Sequence, residues 1–169
     1  MARSAVMAGV VGLAVAGCDG GPAAEDVCTI DDIAVGRAKG FIDDLAWEPA
    51  GVTWTTAGTS IQVNAPPNNG WQLSLVAQTD RDGNAVADEV TAGNFPVHVT
   101  LGEGGDGGFA TLYPSSGSSL STGLAEGGHL QILRIDADSG LVGCFSFEAA
   151  SEDGAVATLS DGQMRATPM

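Results

Sequence analysis

Two short runs, Ile61-Gln62-Val63-Asn64-Ala65 and Trp71-Gln72-Leu73-Ser74-Leu75-Val76-Ala77, decide the fold. Each places an apolar residue at every second position, which is the repeat of a strand with one face on a core and the other in water. Working outward, Phe95, Val97, Val99 and Leu101 repeat the pattern, with His98 and Thr100 on the opposite face. Phe109 to Tyr113 and Leu130 to Ile135 read as more fully buried strands. Further strands are expected at Val52 to Thr56, Val142 to Ala149, Ala155 to Leu159 and Gln163 to Thr167, with turns at Asp138-Ser139-Gly140 and Asp161-Gly162. Helical periodicity is nearly absent from this part of the chain, although the segment Ile30 to Lys39 reads as a short helix. Strands this short and this closely spaced predict an all-β domain, either an antiparallel β-sandwich or an open β-barrel. Around Cys144, the alternation assigns Gly143, Phe145 and Phe147 to the core and turns the cysteine to the outside.

The beginning of the chain obeys a different logic. Arg3 supplies a positive start, Ala5 to Gly17 form an apolar run, and small residues crowd its end, the layout of a secretory signal helix. The run falls well short of the ~20 residues that a membrane-spanning helix requires. Its end, Leu13-Ala14-Val15-Ala16-Gly17-Cys18, resembles the bacterial lipobox. The resemblance implies cleavage before Cys18, acylation of that cysteine with diacylglycerol and palmitate, and a protein held on a bacterial membrane, facing the periplasm or the exterior. Two or three acyl chains anchor firmly where one alone holds only marginally. Asp19 resembles an inner-membrane retention signal and slightly favours that membrane over the outer one. Residues 1–17 are thus expected to be the signal, 18–26 a flexible tether of glycine, proline, alanine and acids, and 27–169 a single domain.

With Cys18 lipidated, Cys28 and Cys144 are expected to form a disulfide that clamps the N-terminal segment across the outside of the sheet. The cysteines show no spacing suited to zinc. The chain carries six Lys and Arg against 21 Asp and Glu, a formal charge of −15. Loss of Arg3 with the signal takes this to −16. Such a charge excludes nucleic acid as a partner and would repel an anionic membrane, so that the domain stands away from the bilayer on its tether. It suits a monomer, or a domain that binds cations.

One constellation carries possible chemistry. Asp80-Arg81-Asp82-Gly83-Asn84-Ala85-Val86-Ala87-Asp88 sets oxygen ligands around a glycine, and it resembles the calcium loops of thrombospondin-type repeats. Asp80, Asp82, Asn84 and Asp88 are the candidate ligands. Asp-Gly-Asn is favoured turn chemistry without any metal, and a plain polar turn is the preferred reading of this loop. Of the three tryptophans, Trp54 and Trp71 read as core, and Trp47, beside Glu48-Pro49 at a strand end, as the candidate for stacking on a sugar ring.

Catalytic signatures are lacking. His98 and His129 read as strand residues, the serines of Pro114 to Thr122 lack the Gly-x-Ser-x-Gly elbow, and Gly102 to Gly108 carries acids and no following helix. Adjacent Asp43 and Asp44 on a strand would point to opposite faces. The expected role is a non-catalytic structural or protein-binding module without a cofactor, the alternative a carbohydrate- or calcium-binding one.

From Trp54, through Gly143-Cys144-Phe145-Ser146-Phe147, to Asp161-Gly162-Gln163-Met164, the order of features resembles small lipoproteins of unknown function from Bacteroidetes and myxobacteria. The resemblance spans roughly residues 40–165 and implies an all-β fold and no particular activity.

Overall fold

The computed structural model describes Cys28, Ile30 and residues 32–57, 60–78, 97–102, 107–136 and 140–169. The signal, the lipobox with Cys18, the tether and the Asp80 to Asp88 loop lie outside the described residues. Among the described residues eleven strands form one sheet: β1 Arg37–Ile42, β2 Leu45–Trp47, β3 Thr53–Ala57, β4 Ser60–Asn68, β5 Trp71–Gln78, β6 Val97–Leu101, β7 Gly108–Pro114, β8 Leu120–Ser121, β9 Gly127–Asp136, β10 Gly140–Ala150 and β11 Val156–Pro168. One 3₁₀ turn, Thr122–Leu124, follows β8.

The fold is all-β, and its pairing runs in a ring. Starting from β3, the order is β4, β5, β7, β6, β9, β10, β11, and β11 returns to β3. The sheet is therefore closed rather than open. It is also mixed: β11 with β3 and β6 with β7 pair in parallel, through only a few residues each, and the remaining pairs are antiparallel. Strands β1 and β2 flank β11 as a separate hairpin, and β8 bridges β7 to β10 at one end.

Cross-strand register shows why the alternating sequences close a core. Trp54, Val63, Leu75 and Ala110 are successive partners across β3, β4, β5 and β7, and so are Ala65, Leu73, Leu112 and Leu120 across β4, β5, β7 and β8. All eight are buried. Positions between them carry polar residues, with Asn64, Ser74 and Thr111 aligned on the outer face. A buried apolar face with a polar outer row is the reverse of a lipid-facing barrel, although Phe109 and Tyr113 are also exposed on these strands. Among the described residues no helix is long and apolar enough to cross a membrane.

Opposite this wall, Phe145 and Phe147 point inward from β10 as the alternation required, with ring centroids 6.4 Å apart. Cys144 faces outward and is bonded to Cys28, with Cα atoms 5.5 Å apart.

Two expectations about local structure are corrected. Ile30 to Lys39 forms no helix: Gly36 turns the chain with φ +76°, and from Arg37 the burial alternates with period two as β1. Asp161-Gly162 does not end a strand either. Between Phe145 and Phe147 of β10 there are two steps, while β11 takes three from Gly162 to Leu159, so β11 continues through a bulge of one extra residue. Asp161 absorbs the extra residue with φ 51°. Gly162 is required there because a Cβ would sit 2.4 Å from the Phe145 carbonyl oxygen and 2.5 Å from its ring.

Candidate functional site

Several loop tips meet at one end of the ring. Asp43 and Asp44 connect β1 to β2 with φ 49° and 65°, and Asn69-Gly70 connect β4 to β5 with φ 47° and 84°. Positive φ at both central residues gives the two-residue turn whose twist matches that of paired strands, and Asn, Asp and Gly bear it best. Asp43 and Asp44 thus occupy a turn and not a strand. Side chains then tie the tips together. Asn69 Nδ2 donates to the Ala46 carbonyl at 2.6 Å, Asn68 Oδ1 accepts from the Glu48 amide at 2.9 Å, and Asp43 Oδ1 accepts from the Thr158 amide at 2.9 Å. The Ser115 amide donates to the Gly70 carbonyl at 2.7 Å, drawing the loop after β7 onto the same end.

The connection from β10 to β11 completes the group. The Ser151 amide donates to the Ala155 carbonyl, and Gly154 supplies φ 86°. The Ser151 hydroxyl donates to Asp153 Oδ1, and the Ser118 hydroxyl reaches Asp153 Oδ2 at 3.4 Å. The Ser151 hydroxyl, followed by smaller backbone contributions, holds the Asp153 carboxyl below its ordinary range. Asp153 is therefore an acceptor at neutral pH and unsuited to donating a proton.

These tips enclose a cleft of about 440 Å³. Trp71, Pro114, Leu120 and Val156 provide its apolar lining, and Asp43, Asp153 and serines 115, 116 and 118 its polar rim. Trp71 is only half-buried, and it packs against the core from the edge of the cleft. An indole plate bordered by carboxylate and hydroxyl groups can stack on an apolar ring face while accepting and donating hydrogen bonds around it. A second, acidic hollow of about 400 Å³ lies against Asp43, Asp44, Thr158 and Ser160. A third, of about 260 Å³, lies beside the disulfide, with His129, Gln131, Phe145 and Gln163 around it.

Trp47 is not available for stacking. It is 0% exposed, its ring meets Phe145 edge-on at 6.4 Å, and its Nε1 donates to the Trp71 carbonyl at 3.2 Å. Flanking Glu48-Pro49 suggested exposure, but β2 lays its last residue over the end of the core while Leu45, two residues earlier, stays in water. Trp54 is buried as expected. Trp71, read as core, is the tryptophan that borders a cleft. The hairpin that places it was marked in sequence by Asn69-Gly70, and the Asp153 loop by Ser151-Glu152-Asp153-Gly154.

Cys28 and Cys144 are joined, whereas Cys18 lies outside the described residues, as do the calcium candidates Asp80, Asp82, Asn84 and Asp88. Among the described residues no three His, Cys, Asp or Glu side chains gather as a metal site. His129 is exposed on β9, and His98 belongs to β6. The chain matches no protein-family model, no curated protein and no solved structure.

Proposed function

We propose that this chain is a bacterial lipoprotein, exported by residues 1–17, acylated at Cys18, and carrying its β domain outside the cytoplasm as a non-catalytic module that binds an envelope protein or serves a structural role. The observation that carries this reading is the Cys28–Cys144 bond. Disulfides of this kind belong to oxidising compartments. The bond also uses two of the chain's three cysteines and leaves Cys18, at the end of an apolar run, for a different chemistry. Detergent phase partition of the full chain expressed in a bacterium tests the anchor. The expected result is recovery in the detergent phase with incorporation of labelled palmitate, both abolished by Cys18→Ser. Recovery in the aqueous phase without label would overturn it.

A second reading is favoured by one observation, the half-buried indole of Trp71 in a cleft that Asp43 and Asp153 also line. It makes the end cleft a seat for a glycan segment. Titration of tryptophan fluorescence with envelope oligosaccharides should give a saturable change that Trp71→Ala removes. No saturable change with any of them would leave the protein-binding reading.

A further inference from the structure

The mature chain has five Lys and Arg residues in an excess of acids, and four of them lie together. Arg134 of β9 pairs with Val142 of β10, Val142 with Arg165 of β11, and Arg165 with Arg37 of β1, so three arginines occupy one row across four adjacent strands. The next row on the same outer face is Gln131, Cys144, Gln163 and Lys39. At ~4.8 Å between strands and ~3.4 Å per residue, this basic block measures about 14 by 7 Å. The fifth basic residue, Arg81, lies outside the described residues.

This placement works against stability. Like charges directly opposite one another in an antiparallel pair repel, and Arg37 faces Arg165 in that relation. Arg165 Nε is also buried without a hydrogen-bond partner among the described residues. With 21 acidic residues in the sequence, an acid at one of these positions would have relieved both. Acids do border the block, at Asp136 on one side and at Asp161 and Glu148 towards the other end, and Asp19, Glu25 and Asp26 precede the Cys28 attachment, but none stands in the row. At physiological salt the screening length is ~8 Å, so the acids of the far wall barely reduce the field in front of this face.

The block borders the attachment point of the N-terminal segment. Cys144 lies in its second row and holds Cys28, and only residues 19–27 separate Cys28 from Cys18. Those nine residues span at most ~30 Å when extended. A tether fixed at this face keeps it within ~30 Å of the acyl chains proposed above.

We propose that the outer face of β9, β10, β11 and β1 docks on the phosphate headgroups of anionic phospholipids, laying the barrel wall on the bilayer. The orientation rests on the acyl anchor proposed above; the headgroup affinity does not. This local positive face works against the repulsion that the net charge of the domain exerts on an anionic membrane.

The test is co-sedimentation of the mature chain carrying Cys18→Ser, and therefore no acyl group, with phosphatidylcholine vesicles and with vesicles also containing phosphatidylglycerol. Binding is expected to the second kind only, in 50 mM salt, and to disappear in 500 mM. Each basic residue near such a surface contributes roughly fivefold, so Arg37→Gln with Arg134→Gln should weaken binding by about 25-fold. Glu152→Gln, at the far end of β10, should change it less than twofold. Equal partition onto both vesicle types, or indifference to the double substitution, would overturn the proposal. If palmitate labelling fails while anionic vesicles still bind, the anchor is at fault and the face stands; if labelling succeeds and vesicles do not bind, the reverse holds.

Discussion

The β10–β11 wall and the Trp71 end are held by different means. In the wall, residues far apart in sequence are forced together: Phe145 covers Gly162, Cys144 holds Cys28, and the register slips by one residue at Asp161 so that both neighbours of β11 keep their faces inward. At the Trp71 end, local turn chemistry places each tip, and single hydrogen bonds join one tip to the next. A wall set by long-range packing resists change and suits an anchor point. Tips set by local turns can alter their side chains without loss of the fold, and such ends are where binding residues concentrate.

Substitutions should separate the two regions, in descending order of effect. Phe145→Ala removes a fully buried ring that contacts Trp47 and Phe147 and shields Gly162, and is expected to cost ~3–5 kcal/mol in urea unfolding. A loss below about 1 kcal/mol would mean that the wall is not the cohesive part. Removal of the disulfide by Cys28→Ser with Cys144→Ser should cost ~2–4 kcal/mol, because the bond closes a loop with a sequence separation of 116. At the other end, Asn69→Ala loses the hydrogen bond to Ala46 and places alanine at φ 47°, for an expected ~1–2 kcal/mol. If that substitution cost more than Phe145→Ala, the contrast between wall and tips would be reversed. Arg37→Gln should act in the opposite sense and stabilise by ~0.2–1 kcal/mol, since it relieves the repulsion across from Arg165.

The smallest effect concerns pH. The Asp153 carboxyl is held below its ordinary range by Ser151, so its contribution is present above the unfolded carboxylate pKa of ~3.9 and is lost as pH falls through the lower folded value. An NMR titration should find Asp153 taking up its proton below the ordinary aspartate range on acidification, and Ser151→Ala should return it towards that range. An unchanged Asp153 titration in that variant would remove Ser151 as the cause.

Much of this was legible from residue types. Alternation located the strands and assigned Phe145 and Phe147 to the core, with Cys144 outside, because a half-buried strand has no other way to satisfy period two. Ring closure was not legible, since it depends on short parallel contacts, Thr167 with Thr53 and Leu101 with Gly108, that leave no local pattern. Asp161-Gly162 misled because a hairpin turn and a bulge both call for positive φ, and only the neighbouring strands distinguish them. Trp47 misled because its flanking sequence describes the chain around it and not what its ring meets. At the candidate cleft, the turn residues were visible but the meeting of four tips was not.

The proposed division of the three cysteines into one lipid site and one clamp is decided by the intact mass of the full chain isolated from a bacterial host. After alkylation without reduction, the expected product is a chain beginning at Cys18 with acyl mass on that residue and no alkylated thiol, Cys28 and Cys144 becoming alkylated only after reduction. An unacylated Cys18, or alkylation of Cys28 or Cys144 before reduction, would contradict it.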